Sequence, residues 1–107
     1  MEIKLTSYGA TEEVTGSCHL LNIDGYRILV DCGMWQGNWD NYVKNWDSFL
    51  FDPQNVDAVI LTHAHLDHCG RLPKLYSKGY NGPIYATGAT IDLAKIVLED
   101  SYFITNE

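Results

Sequence analysis

The 107 residues are 46% hydrophobic and 20% charged, a length that permits one compact domain at most. A chain of this size buries roughly 60 to 70% of the surface its unfolded form exposes, enough for a core without disulfides, which argues against intrinsic disorder. Seven Lys or Arg against fourteen Asp or Glu give a net charge of −7, which argues against a basic module that grips nucleic acid by phosphate neutralisation alone; a nucleic-acid substrate would need positive charge from another source.

In chain order, residues 2–8 (EIKLTSY) and 18–23 (CHLLNI) have strand character, and Asp24-Gly25 joins the second to 26–31 (YRILVD) as a two-residue hairpin. The chain therefore opens as a β-meander. Between Trp35 and Leu50 the residues Trp35, Trp39, Tyr42, Val43, Trp46, Phe49 and Leu50 recur at intervals of three and four, which predicts an amphipathic helix or helical loop. Asp52-Pro53 ends it, and 57–62 (DAVILT) is a short β-rich run of the kind buried on both faces. A polar His-rich turn follows, then a helix from Asp67 to Lys78 closed by Gly79. Gly82-Pro83 precedes a strand over 83–87 (PIYAT), and Ile91, Ala94, Val97, Leu98, Phe103 and Ile104 mark a final helix over 90–104. Three meander strands followed by β-α-β-α make an α/β chain with helices flanking a sheet. No repeat or linker divides residues 1–107, and the last helix runs to Glu107 without a Gly or Pro stop, so it reads as cut rather than terminated.

No apolar run approaches the roughly 20 residues needed to cross a bilayer, and Met1-Glu2-Ile3-Lys4-Leu5-Thr6 lacks a basic stretch leading into an apolar one. The expectation is a cytoplasmic protein with no membrane partner. Cys18, Cys32 and Cys69 form no CxxC pair and no even-numbered framework, and read as reduced, partly buried thiols.

Chemistry concentrates in Leu61-Thr62-His63-Ala64-His65-Leu66-Asp67-His68-Cys69-Gly70, where three of the four histidines fall within six residues. A strand ending near Thr62 sends residues two apart to one side, so His63 and His65 can present imidazoles to one cation. Asp67 and His68, where the chain turns into a helix, offer a carboxylate and an imidazole to a second. The pattern HxHxDH thus describes a two-metal site. Imidazole with carboxylate suits zinc, and also manganese or iron. Two ions would lower the pKa of a bound water and polarise an ester, amide or phosphate, supplying the positive charge the composition lacks. Asp67 is also placed to N-cap the helix that follows.

These residues resemble the metallo-β-lactamase superfamily, whose signature is HxHxDH, here His63, His65, Asp67 and His68. Asp31-Cys32-Gly33 looks like the superfamily's first motif, whose Asp supports the metal ligands. Gly9-Ala10-Thr11-Glu12-Glu13-Val14-Thr15-Gly16-Ser17-Cys18-His19 and Cys69-Gly70-Arg71-Leu72-Pro73 are similar to the branch of RNA-processing nucleases called β-CASP. The resemblance implies the N-terminal half of an αββα fold, with a mixed β-sheet and flanking helices. It implies that His63 and His65 bind one zinc, that Asp67 and His68 bind the other, and that Asp31 supports them. A metal-bound hydroxide, which Asp67 helps orient, would then cleave a phosphodiester of single-stranded RNA.

The family's later ligands have no counterpart here, since residues 69–107 contain no His, and Asp92, Glu99, Asp100 and Glu107 have no motif around them. The resemblance therefore implies a fragment of a longer ribonuclease, inactive alone and prone to self-association through the face meant for its missing half. A thioester or lactone hydrolase on the same motif, or a non-catalytic metal-binding half-domain, are the competing functions. Among the remaining residues, His19 reads as a core or edge histidine, and Cys69 as facing the helix interior rather than a metal. Trp35, Trp39 and Trp46 read as packing rather than base-stacking residues, and Ala10 to Thr15 as a structural rim. Arg71, Lys74 and Lys78 lie at helical spacing and suit either a phosphate-contacting face or a solvated helix side.

Overall fold

In the computed structural model, which describes residues 1–9 and 15–106 with side chains as far as Glu99, Asp24 and Gly25 both take positive φ, 50° and 90°. That is the turn whose twist matches two antiparallel strands, and it joins β2 (His19–Ile23) to β3 (Tyr26–Val30). β1 (Ile3–Ser7) pairs antiparallel with β2, while β4 (Ala58–Ile60) and β5 (Ile84–Tyr85) add to β3 in parallel, giving one mixed sheet in sequence order. The expected strands are all present, each a little shorter than its sequence signal.

The pleat sorts the side chains. Leu20, Leu29, Val59 and Ile84 stand side by side in register and form the floor of the core, which Leu72, Leu75, Tyr80 and Ala94 complete from the helical layer. The opposite face carries Ile3 and Leu5, 59% and 63% exposed, and at its other end Ile60 and Tyr85. This corrects the expectation that 57–62 is buried on both faces: Val59 and Leu61, toward the core, are buried, whereas on the other face the small Ala58 is buried and Ile60 is 40% exposed.

Of the helical expectations, the helical loop over 35–50 is what forms, and the single helix over 67–78 is corrected. Residues 35–50 form only α1 (Trp39–Tyr42), continued by a 3-10 turn over Val43–Trp46. The reason is Asn45, whose Oδ1 accepts the Trp35 N–H at 2.7 Å while its Nδ2 donates to the carbonyls of Trp35 and Tyr42, both at 2.9 Å. One buried amide does the pairing that a helix ladder would otherwise do, and holds the segment as a loop. The single helix expected over 67–78 is instead α2 (Leu66–Cys69) and α3 (Leu72–Ser77). The bond that would join them runs from the Arg71 N–H to the Asp67 carbonyl. Here the Arg71 N–H goes to the Cys32 carbonyl (2.9 Å), and the Asp67 carbonyl accepts from the Ser17 N–H (3.0 Å).

The last helix, α4 (Gly88–Asn106), starts where Thr87 Oγ1 accepts the Thr90 N–H at 3.2 Å. It turns Ala94, with Ile91, Val97 and Leu98 beside it, toward the rest of the molecule, as the periodicity predicts; Phe103 and Ile104 lie beyond the described side chains. Residues 10–14, most of the expected rim with Glu12 and Glu13, lie outside the described residues. Among the described residues, no helix is long and apolar enough to cross a membrane.

Candidate functional site

Asp31 follows β3 directly and is the fixed point of the site. Its φ of 64° lies in the left-handed region, which Asp tolerates better than most residues, and its side chain is buried. Its backbone N–H is tied to the Ile60 carbonyl at 2.9 Å, so the carboxylate is aimed across the end of β4. There Oδ1 accepts the Thr62 N–H at 2.8 Å, and Oδ2 accepts the Thr62 hydroxyl at 2.7 Å and the Ser17 hydroxyl at 3.3 Å. Oδ2 also lies 2.8 Å from His68 Nδ1. A carboxylate can only accept, so that imidazole carries a proton on Nδ1, and in the neutral ring Nε2 keeps the lone pair that a metal would take.

Two loops meet to make this possible. The Cys32 N–H donates to the His68 carbonyl (2.9 Å), the Met34 N–H to the Leu66 carbonyl (2.7 Å) and the Gly33 N–H to the Ser17 carbonyl (2.8 Å). The backbones approach so closely that a Cβ at Gly33 would overlap the Asp67 carbonyl. Asp31-Cys32-Gly33 is therefore a backbone splint for the His-rich turn as well as the source of a carboxylate.

His63 and His65 are not strand residues as expected, because β4 ends at Ile60. Ala64 between them is nonetheless buried, and His63 and His65 are exposed with rings 21° from parallel and centroids 6.5 Å apart. His63 lies nearer to His68, at 4.6 Å between centroids. His65 is the residue that precedes α2 as its N-cap, and Asp67, expected there, falls in the first turn instead.

The donors can be tested against the bond lengths a metal requires. Two atoms bound tetrahedrally to one ion at about 2.0 to 2.2 Å stand about 3.3 to 3.6 Å apart. His68 Nε2 and Asp67 Oδ2 are 3.5 Å apart, so this pair fits one ion as it stands. Two imidazoles on one ion bring their centroids to about 5 to 6 Å, so His63 and His65 need a rotation of an exposed ring to share one. Among the described residues, no three His, Cys, Asp or Glu side chains are gathered as a closed metal cage.

The neighbouring residues sort themselves by contact. Cys69 is fully buried, its Sγ donating to the Ala64 carbonyl at 3.3 Å, and burial, with Asp31 and Asp67 adding to it, pushes its pKa up to about 11. It is a neutral thiol facing inward and no ligand. His19 is held by Ser7 Oγ at 2.8 Å across the β1–β2 pair. Arg71 matches neither a phosphate face nor a solvated helix side: it is buried, its Nε donates to the Gly33 carbonyl, and its guanidinium lies over Phe49 (5.3 Å) and Trp35 (5.8 Å). Lys74 Nζ donates to the carbonyls of Asn45 and Asp47, and Lys78 is exposed. Of the three tryptophans, Trp35 packs against Gly16, whereas Trp39 and Trp46 are 71% and 64% exposed around Tyr42.

Thr62 and Ser17 were invisible as site residues in the sequence. Each touches Asp31 from a distant position, and the available signals were the adjacency of Thr62 to the first His and the place of Ser17 in the Gly9 to His19 segment.

The sequence pattern of the metallo-β-lactamase superfamily matches residues 11–101. The chain is 55% identical over 105 residues to ribonuclease TTHA0252 of Thermus thermophilus, covering 98% of this chain and 24% of that protein. It is 40% identical to transcription termination factor FttA of Methanocaldococcus jannaschii (92% of this chain, 16% of that one). It is 42% identical to Integrator complex subunit 11 of Danio rerio (97% and 18%). The chain thus spans less than a quarter of the length of these relatives. Among solved structures it resembles the metallo-β-lactamase fold protein YhfI of Bacillus subtilis, with a TM-score of 0.55 and 29% identity over 84% of this chain and 40% of that one. The short form of human tRNase Z, at 22% identity with a TM-score of 0.52, shares the fold over 95% of this chain and 41% of that one.

Proposed function

The chain belongs to the metallo-β-lactamase superfamily, and from that membership we propose that residues 1–107 are the N-terminal part of the catalytic domain of a β-CASP-type ribonuclease acting on single-stranded RNA. The observation that carries the reading is the pairing of His68 Nε2 with Asp67 Oδ2 at the spacing of two ligands on one ion, with His68 braced from behind by Asp31. The ribonuclease among its relatives, and the termination factor and Integrator subunit beside it, support RNA as substrate.

His63, His65, Asp67 and His68 are the proposed ligands, and imidazole with carboxylate suits two zinc ions, with manganese or iron as substitutes. When bound, such ions supply an acidified water and a counter-charge for the phosphate. The chain's own residues do the rest. Asp31 holds His68 in the tautomer that presents Nε2, and so acts as a positioning residue. Asp67, with Oδ2 beside His68, would use its second carboxylate oxygen to accept a hydrogen bond from the attacking water and so orient it. The three buried free cysteines support a reducing, cytoplasmic setting.

The test is hydrolysis of single-stranded RNA by the protein from its full reading frame, with zinc or manganese supplied. Cleavage that a His65→Ala protein lacks is the expected result; no cleavage with either metal overturns the reading.

A further inference from the structure

We propose that Thr62 is a positioning residue that fixes the tautomer of His63, extending the influence of Asp31 from one imidazole to two. This rests on the metal-binding reading above, in which a ligand's free nitrogen matters. Thr62 Oγ1 lies 2.7 Å from Asp31 Oδ2 and 3.0 Å from His63 Nδ1. The hydroxyl has a single proton, and the carboxylate has none to give. At 2.7 Å two oxygens without a proton between them would repel, so the hydroxyl proton points to Asp31 in a short charge-assisted bond. Oγ1 then has only lone pairs to offer His63, which must carry its proton on Nδ1. Nε2 of His63 is left bare, as Nε2 of His68 is by direct contact with the same carboxylate.

The Thr62 N–H, bound to Asp31 Oδ1 at 2.8 Å, locks the residue so that its hydroxyl cannot turn elsewhere without breaking the pair. The order Asp31, Thr62, His63 is therefore a two-bond relay that presents a metal-facing nitrogen on an otherwise exposed ring. Among the described residues the His65 ring has no such hydrogen bond, so the relay distinguishes the first histidine of the HxH pair from the second.

The experiment is long-range proton–nitrogen correlation on the metal-free, full-length protein labelled with 15N-histidine, with signals assigned through His63→Gln and His68→Gln variants. In the wild type, His63 and His68 should both show protonated Nδ1 and bare Nε2. In Thr62→Val, His63 should lose that preference while His68, still on Asp31, keeps it; Thr62→Ser should restore it. Zinc affinity, read by competition with a chromophoric chelator, should fall about tenfold or more in Thr62→Val and recover in Thr62→Ser. A wild-type His63 protonated on Nε2 overturns the relay, and does so even if the valine variant fails to fold. An unchanged His63 in folded Thr62→Val overturns it equally. A wild type with the expected tautomers that binds no zinc leaves the relay standing and overturns the metal reading instead.

Discussion

Asp31 concentrates the demands of the site on one residue: a left-handed backbone, a buried side chain and four donors to satisfy. Asp31→Ala should cost about 2 to 4 kcal/mol in urea unfolding, because it leaves the Thr62, Ser17 and His68 donors without an acceptor and puts Ala, which tolerates the left-handed region less well than Asp, at a φ of 64°. Asp31→Asn keeps the shape but brings an NH2 that opposes the His68 proton, and zinc should bind roughly 10- to 100-fold more weakly by chelator competition. Gly33→Ala should be worse than either for folding, since its Cβ meets the Asp67 carbonyl and lies 2.9 Å from the Ser17 nitrogen, atoms of two backbones that cannot give way together. Soluble Gly33→Ala protein with unchanged stability would show that the splint is dispensable. At this scale the sequence revealed the ligands, because HxHxDH is local. It did not reveal Thr62 or Ser17, whose bonds to Asp31 span 31 and 14 residues and leave no periodic trace.

Among the elements, the strands were legible from β-rich runs bounded by turn signals, and the last helix from the period of its apolar residues. The helical loop over 35–50 and the break in the single helix expected over 67–78 share a cause: a side chain or a distant backbone takes a hydrogen bond that a continuous helix would need. Asn45 is the clearest case, and Asn45→Ala should destabilise the chain by about 2 to 3 kcal/mol, since the Trp35 N–H and two carbonyls lose their partner together. Arg71 stands at the other break, between α2 and α3, and its planar guanidinium both bonds the Gly33 carbonyl and spans the Phe49 and Trp35 rings. A lysine keeps the charge but has neither the plane nor the fork. Arg71→Lys should therefore lower stability by about 1 to 3 kcal/mol in the same unfolding assay, and an unaltered midpoint would mean that charge alone sufficed.

At the scale of the whole molecule, charge and apolar surface point outward from what is described. Arg71 is buried, with its Nε on a backbone carbonyl and its Nη2 without a hydrogen-bond partner among the described residues, and Lys74 donates to two backbone carbonyls, so the −7 balance is not relieved by the phosphate-contacting face that the sequence offered. The sheet is covered on its Leu20–Leu29–Val59 side and open on the other, where Ile3, Leu5, Ile60 and Tyr85 are between 40% and 63% exposed. A sheet face with large apolar side chains exposed at both ends is a surface that a partner tends to cover. Produced as these 107 residues alone, the protein has no described element to lay on it, and two copies placed sheet to sheet would each cover the other. The expected outcome in sedimentation velocity is concentration-dependent association. A double substitution, Ile3→Lys with Leu5→Lys, puts two cations on the outermost strand of the open face without touching the core side, and should shift the species to monomer with circular dichroism unchanged. A wild type that sediments as a monomer at every concentration would mean that the face is too weakly apolar to drive pairing. Association unaltered by the two lysines would place the contact elsewhere, with the exposed Trp39–Tyr42–Trp46 cluster as the next surface to charge.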